Sequence, residues 1–417
     1  MSKSLKNRIL SIGAFAALRH RNYAIYAPFA FASSIGYWVQ RIAVQWLVWD
    51  LTGSFAWLGI IVFLEAIAIL CVTPFAGDFA DRFDRTVLAR IVRAVTALTA
   101  LCIGVCHLAG ILTLPLLIVF VVIAAIADSV WTPVRLAVVP NLVPRPAIPS
   151  AITFGAMSFH SAHFIGPAIA GLMIYHLGVS LTFIVNSVLL TSVVIAFFVI
   201  KLVHKPEAVN RRSGFVERMG DALSYVRANP GMLRLLLLMA MISFCIRPYK
   251  EFYAGFTDGI FSRGAEGLAL VAAASGLGAL IAALSIGFTA QNPNRTNGII
   301  KSSAFSVLAL LVFALSPHFW GFVAGSFLLG LSLTWLGITS QIMIQSAVDD
   351  NKRGRVMGLW GMQMKACPAI GAFVIGAAAE AWDVRMAMAA FAAVFVVGAM
   401  VFVWPQRSSF AALAQKS

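Results

Sequence analysis

The chain has 417 residues, of which 60% are hydrophobic and only 11% are charged. A soluble chain of this length would divide into domains with charged exteriors, so the composition excludes a soluble globular protein. The formal net charge is +15, as in many nucleic-acid-binding proteins, and the positions of the basic residues decide between that class and a membrane protein.

Apolar runs of about 20 residues, long enough to cross a bilayer as helices, recur along the whole chain. We predict an all-α membrane protein in which each run is one span. The twelve predicted spans are residues 24–49, 55–76, 87–109, 113–138, 150–176, 179–201, 231–258, 265–289, 299–316, 319–345, 355–380 and 383–404.

Most of the 31 Lys and Arg residues fall in alternate loops or at the span ends beside them, including Arg90 and Arg93 in the third span. The opposite loops hold only Arg263 and Arg385. This asymmetry follows the positive-inside rule and predicts that both termini are cytoplasmic. The positive charge is then explained by topology and by contact with anionic membrane lipids, and we expect no nucleic-acid partner.

A dense charge cluster between the second and third spans runs from Gly77 to Thr86 and includes Asp81, Arg82 and Arg85. We predict that Asp81 lies near a helix N-terminus, where the macrodipole stabilises an acid by roughly 0.3–1 kcal/mol. Contacts of the two arginines would form when the cytoplasmic side closes and break when it opens. We interpret the cluster as a cytoplasmic gate, with a solvated turn that only fixes topology as the alternative.

The same pattern recurs roughly half a chain length later, where Gly287 corresponds to Gly77 and Arg295 corresponds to Arg85. A repeat of this size indicates two copies of one membrane unit. We therefore place Arg295 in the gate as well.

The repeat predicts two pseudo-symmetric six-helix bundles, at residues 1–202 and 230–417. The polar segment 203–229 between them is predicted to be a cytoplasmic linker that contains an amphipathic helix. We favour a simple tether over a regulatory site for this segment.

The charge cluster resembles the signature loop of the major facilitator superfamily, which joins helices two and three, although Asp84 stands where that loop usually has glycine. The segment Trp131–Arg135 is similar to the end of the fourth helix in the branch that includes enterobactin and macrolide exporters. Arg247–Tyr249 and Arg353–Arg355 resemble the same branch.

Gly166, Pro167 and Gly171 resemble the helix-bending motif in the fifth helix of proton-coupled exporters, although Ala162 stands where that motif begins with glycine. The resemblance covers nearly the whole chain. It implies the twelve-helix fold, in which helices one, four, seven and ten line a central cavity and two halves alternate in access.

Ionisable residues inside the predicted spans cost roughly 2.5–3.5 kcal/mol each on insertion scales, so they usually face a protein interior or a wet cavity. Polar residues recur at helical spacing on one face of the first, fourth, seventh and tenth spans. The residues that we predict to line a substrate cavity are Trp38, Arg41, Gln45, Trp131, Arg247, Lys250, Glu251, Gln341, Gln345 and Lys365.

Asp128 and Glu65 are the leading candidates for a carboxylate that takes up and releases protons, because a buried acid has a raised pKa. Arg41 is the expected counter-charge, and a static pair of Arg41 with either acid is the alternative. His160 and His163 lie one helical turn apart and are further candidates for proton transfer or metal binding, but satisfied interior histidines are favoured. We predict no metal site.

Arg247 and Glu251 are spaced by four residues in the seventh span, so we expect them to pair with each other. Four bases and three acids within the spans favour an anionic or zwitterionic substrate over a simple cation.

The chain contains no Gly-rich phosphate-binding motif for ATP hydrolysis. We therefore predict a secondary transporter without a cofactor, a proton-coupled antiporter that exports a small drug- or siderophore-like molecule. A monomer in a bacterial inner membrane is expected. The alternatives are a carrier of metabolites or lysolipids, a transport-dead sensor, and an intramembrane enzyme that uses His160, His163 and Asp128.

Overall fold

The computed structural model describes residues 13–200, 215–289 and 295–402. Within them the side chains of residues 13–14, 77–82, 160, 215–216, 218, 287–289, 295 and 350–351 are not described. The α-helices of the described part are α1 (Arg21–Thr52), α2 (Phe55–Arg82), α3 (Arg85–Leu108), α4 (Leu114–Val138), α5 (Ile148–Val199), α6 (Phe215–Ala228), α7 (Pro230–Cys245), α8 (Gly264–Thr289), α9 (Arg295–Leu315), α10 (Phe319–Ala347), α11 (Asp350–Ala381) and α12 (Val384–Phe402).

Ten helical segments in the described part of the chain are long and apolar enough to cross a bilayer. One of them, Arg145–Val199, has 55 residues and is two helices joined at Gly178, whose φ of 76° is outside the helical range and suits glycine. The helix α1 has 32 residues but is more polar. Counting α1 and both arms of α5 supports the predicted twelve spans, and the all-α membrane fold is confirmed.

The chain forms two compact units. The first comprises Met1–Leu47 and Ile67–Asn210, and the second comprises Val48–Ala66 and Arg211–Ser417. The facing ends of α1 and α2, which form a hairpin at residues 48–66, therefore pack with the second unit, although most of both helices lies in the first.

In the first unit, α3 packs against α4 and α5, and a short 3-10 helix, Gly13–Arg19, packs against α5. Ser150 and Ala151 fix the start of α5, because the Ala17 amide donates to the Ser150 hydroxyl at 2.8 Å and the Tyr23 hydroxyl donates to the Ala151 carbonyl at 2.8 Å. Large aromatic side chains are part of the buried core of the first unit next to these contacts.

In the second unit, α8 and α9 pack against α10, while α11 and α12 pack against α7. The helix α7 ends at Cys245 and continues as a 3-10 helix, Arg247–Phe252, and a π-helical turn, Gly255–Ile260. Pro248 explains this break, since it has no amide hydrogen to donate to the Phe244 carbonyl. That carbonyl instead lies against Gly371 of α11, where a Cβ atom would overlap it.

Candidate functional site

Asp128 of α4 forms an ion pair with Arg93 of α3, with 3.0 Å between Oδ1 and Nη1. The side chain of Arg93 is 4% exposed and that of Asp128 is 18% exposed, so water reaches the acid more easily than the base. The Arg93 guanidinium also lies 4.2 Å from the centroid of the Trp131 ring. Asp128, predicted to exchange protons, is thus the more water-accessible partner of the pair.

Arg93, the ion-pair partner of the candidate Asp128, is not among the predicted site residues, because the hydropathy pattern groups it with the charges beside the cytoplasmic loops. It lies in α3 more than two turns after the helix start at Arg85. The signal that would have found it is the capping residue Asp84, which fixes where the helix begins.

Trp131, predicted to line the cavity, is 7% exposed and lies in the core of the first unit. Its ring is 6.3 Å from that of Phe197 at an interplanar angle of 77°. The Trp131 ring thus contacts both the apolar core and Arg93, and it stabilises the guanidinium through a cation–π contact.

The polar face of α1 meets α5 in the first unit. The Trp38 and His163 rings lie 4.1 Å apart, and the buried Trp38 indole nitrogen has no hydrogen-bond partner among the described side chains. A Cβ atom on Gly166 would lie 2.5 Å from the Trp38 Cβ, so only glycine allows this approach of the two helices. Farther along α1, Arg41 is half-buried and Gln45 is buried.

Other residues predicted for this region contribute in different ways. Pro167 and Gly171 lie within α5, on the Gly166 side of the break. The His160 side chain lies outside the described set. Glu65 is half-buried and belongs to the hairpin that packs with the second unit, whereas Asp128 belongs to the first.

In the second unit, Arg247, Lys250 and Glu251 lie on the 3-10 helix that follows α7. Glu251 is 8% exposed, while Arg247 and Lys250 are half-buried. The expected pairing of Arg247 with Glu251 is wrong: both residues are described and no ion pair joins them. Residues four apart do not share a face when a helix has three residues per turn.

The remaining residues predicted for the cavity lie on α10 and α11. Gln341 is exposed and Gln345 is half-buried on α10, and Lys365 is exposed on α11. Gly337 of α10 lies one turn before Gln341, and its Cα faces the Arg247 guanidinium.

The charged cluster after the second span is not one loop. The helix α2 continues to Arg82, and α3 begins at Arg85, so the turn consists of Phe83 and Asp84. Gly77, Asp81 and Arg82 therefore lie in the last turns of α2, and the expected position of the Asp81 carboxylate near a helix N-terminus stays a prediction. Their side chains, like that of Arg295, lie outside the described set.

Asp84 lies directly before the first turn of α3. Its Oδ1 accepts hydrogen bonds from the Thr86 amide at 2.8 Å, the Val87 amide at 3.1 Å and the Thr86 hydroxyl at 2.5 Å. The Thr86 hydroxyl contributes most to a lowering of the Asp84 pKa, followed by the Val87 amide. Asp84 is thus an N-cap of α3, which explains the departure from the glycine of the signature loop.

Arg353 and Arg355 tie α11 to its neighbours. Arg353 Nε donates to the Gln345 carbonyl of α10 at 3.0 Å. Arg355 forms an ion pair with Asp221 of α6, and the Tyr225 hydroxyl of α6 donates to Asp349 at 3.2 Å. The linker helix is therefore docked on the start of α11.

The hairpin at residues 48–66 makes polar contacts within the second unit. Trp49 Nε1 donates to Asp258 Oδ2 at 3.0 Å, and the Ser54 hydroxyl donates to Glu380 Oε1 at 2.5 Å. Phe55 packs against the aromatic rings of Phe252 and Phe256. These contacts connect the hairpin to the π-helical turn and to the end of α11.

Comparison with protein families gives a match over residues 12–417 to the family described as transmembrane secretion effector. The staphyloferrin A transporter of Staphylococcus aureus is 24% identical, with 84% of this chain and 88% of the relative covered. The enterobactin exporter EntS of Salmonella typhi is 25% identical, with 83% of each chain covered. Macrolide efflux protein A of Enterococcus faecalis is 24% identical, with 72% of this chain and 93% of the relative covered.

Solved structures also share the fold. The nucleoside transporter NupG is 15% identical, with a TM-score of 0.70 over 92% of this chain and 98% of that chain. A bacterial homologue of the human lysosomal transporter Spinster, in an inward-facing state, is 14% identical, with a TM-score of 0.66 over 95% of this chain and 96% of that chain.

Proposed function

The chain belongs to the transmembrane secretion effector family of major facilitator transporters, and from this we propose that it exports a small drug- or siderophore-like molecule by proton-coupled alternating access. The protein is a multi-pass membrane transporter and not an enzyme. Relatives named as a siderophore transporter, an enterobactin exporter and a macrolide efflux protein support export of such a molecule.

The ion pair between Arg93 and Asp128 is the observation that supports proton coupling. A buried ion pair is only weakly stabilising because both charges lose their hydration. Protonation of Asp128 removes the attraction, and the Trp131 ring still stabilises the Arg93 cation. Because a buried charge left without its partner is costly, protonation of Asp128 favours a rearrangement around Arg93, and a coupling site requires such a link between a proton and a conformation.

We further propose that residues 1–202 and 230–417 act as the two moving bundles, with 203–229 as their cytoplasmic connection. The distribution of basic residues supports cytoplasmic termini and contact with anionic lipids in a bacterial inner membrane. The protein works as a monomer in this proposal, since one chain supplies both bundles.

The direction of transport and its energy source are tested together in membrane vesicles. Everted vesicles that contain the protein should accumulate a radiolabelled macrolide or an iron-free siderophore, and an uncoupler should abolish the accumulation. Right-side-out vesicles with the same amount of protein are the matched control and should not accumulate the compound. Accumulation in right-side-out vesicles alone would overturn export, and accumulation that resists the uncoupler would overturn proton coupling.

A further inference from the structure

Arg247 is placed at the break in the seventh span. Its Nε atom is buried and has no hydrogen-bond partner among the described residues, while the side chain as a whole is half-buried. A guanidinium presents its donors in a fixed planar fork. The edge formed by Nε and one Nη therefore has hydrogen-bonding capacity that the described residues do not satisfy.

The polar face of α10 lies opposite the Arg247 guanidinium. A Cβ atom on Gly337 would lie 2.9 Å from Arg247 Nη2, and outside its own helix backbone no other atom of the described residues would lie within 4 Å of it. Thr334 precedes Gly337 by three residues and Gln341 follows it by four, so the three share one helical face. Thr334 is half-buried and Gln341 is exposed, so the face offers further donors beside the guanidinium.

We propose that Arg247, seated against Gly337, binds a carboxylate of the transported molecule. A planar carboxylate accepts two parallel hydrogen bonds from Nε and Nη of a guanidinium. Gln341 adds an amide donor within reach of a ligand on the same face of α10. The inference rests on the proposed export function in one respect, namely that the bound molecule is the transported substrate. It restricts the substrate to molecules with an anionic oxygen group.

The break in the helix supports the assignment. Pro248 ends the regular α-helix, so Arg247 leaves the face that it would occupy in a continuous helix. Glu251, the nearest acid along the chain, lies on the same 3-10 helix without an ion pair to Arg247, since residues four apart do not share a face there. A ligand carboxylate takes the place that Glu251 would fill in a regular α-helix.

The site is tested by ligand binding to the purified full-length protein, without transport. The probe is succinate, and its neutral counterpart succinamide is the control for the charge. Inorganic phosphate tests whether the site instead prefers a phosphate, such as that of a lipid headgroup. All three are compared at equal ionic strength. Succinate should raise the thermal unfolding midpoint in a saturable manner, and succinamide should not. No effect of succinate overturns the proposal, and stronger binding of phosphate assigns the guanidinium to a phosphate instead.

Variants locate the binding. Arg247→Gln should weaken the apparent affinity for succinate by about tenfold to a hundredfold, as expected for loss of a charge-assisted bidentate contact, and Arg247→Lys should retain part of it. Gly337→Ala should weaken binding with an intact fold, because the added Cβ meets only the movable end of Arg247. Gly361→Ala, at a glycine whose Cβ would meet no described atom within 4 Å outside its own helix backbone, is the matched control and should bind normally.

These outcomes separate the inference from the export proposal. Unchanged succinate binding in Gly337→Ala would overturn the placement against α10, even if Arg247→Gln does not fold. If neither Arg247→Gln nor Arg247→Lys weakens succinate binding, the carboxylate site is overturned and the export proposal stays valid. Succinate binding that depends on Arg247, in a protein that accumulates nothing in everted vesicles, would overturn export and leave the site standing.

Discussion

At the scale of single residues, the Asp128 side chain has to meet two conflicting requirements. Its charge compensates Arg93, which is nearly inaccessible to water, while its own partial exposure allows protons to reach it. A neutral side chain of the same shape keeps a hydrogen-bond acceptor for Arg93 but removes the titration. Substitution of Asp128 by asparagine therefore separates packing from proton coupling.

Asp128→Asn should retain exchange of substrate between equal concentrations and lose uphill transport. One proton that crosses 100 mV supplies about 2.3 kcal/mol, enough for a roughly fifty-fold substrate gradient, and this accumulation should fall to the equilibrium level. The measurement is accumulation and counterflow in the same proteoliposomes. Glu65→Gln tests the competing assignment, and an Asp128 variant that accumulates substrate with normal pH dependence would move the coupling role to Glu65 or a histidine.

Asp84 supports a second prediction, which concerns stability. Because two amides and one hydroxyl donate to its carboxylate, the folded-state pKa lies below the ordinary value of 3.8. The stabilisation is therefore present above that pH and is lost as the pH falls through the lower folded-state pKa. Asp84→Ala should destabilise the start of α3 by about 0.5–2 kcal/mol at neutral pH.

The pH dependence distinguishes the charge from the cap. Asn is also a good N-cap residue but does not titrate in this range, so Asp84→Asn should stay close to the wild type in unfolding midpoint at neutral pH. The difference between Asp84 and the alanine variant should shrink on acidification below pH 3.8, whereas the difference between the asparagine and alanine variants should not. A pH-independent difference for Asp84 would contradict the hydrogen-bonded carboxylate.

At the scale of helices, the docking of α6 on α11 gives the linker an ordered contact. The ion pair between Asp221 and Arg355 is partly exposed, with side-chain exposures of 48% and 38%, so its contribution to global stability is small. Its expected effect is local. Arg355→Gln should speed amide hydrogen exchange in α6 severalfold and leave α8 and α10 unchanged.

Arg227→Gln is the matched control, because Arg227 is an exposed arginine on the same helix. It should leave the exchange in α6 unchanged. The exchanged pair Asp221→Arg with Arg355→Asp should restore protection. Equal protection in the wild type and in Arg355→Gln would mean that Tyr225 and Asp349 alone hold the helix.

The helices themselves follow closely from the sequence, because membrane-length apolar runs have few other structures available to them. The predicted boundary between the fifth and sixth spans falls where Gly178 breaks α5. The break after Cys245 was not predicted, although Pro248 supplies the reason, since proline alone does not determine whether a helix bends or ends.

Side-chain partners follow from the sequence less well than helices do. Arg93 was assigned to the cytoplasmic charges because hydropathy defines the apolar middle of a span but not the residue at which its helix starts. The N-cap at Asp84 moves that start to Arg85, so Arg93 lies more than two turns inside α3, where packing on α4 brings it to Asp128. The contact of Arg247 with Gly337 depends on how α10 packs near the break, which no periodicity along one segment encodes.

At the scale of the whole molecule, the hairpin at residues 48–66 belongs to α1 and α2 along the chain but to the second unit by packing. Any movement between the units must therefore bend α1 and α2 near residues 47 and 66 or release the hairpin from its contacts. The hydrogen bonds to Asp258 and Glu380 and the Phe55 contacts hold it in place. Alternating access by rocking requires one of these two changes.

Release of the hairpin is the change that we predict, because the hydrogen bonds of Trp49 and Ser54 can re-form with water, whereas bending two helices breaks backbone hydrogen bonds within the bilayer. Removing both contacts with Asp258→Ala and Glu380→Ala should speed amide exchange in residues 48–56. The same double variant should change the rates of substrate entry and of substrate release, both in the same direction. The matched control is Asp383→Asn, which changes an exposed acid near the end of α11 and should alter neither quantity. If exchange in the hairpin increases and transport stays at the wild-type rate, the hairpin does not part from the second unit during the cycle, and the bend in α1 and α2 must carry the movement.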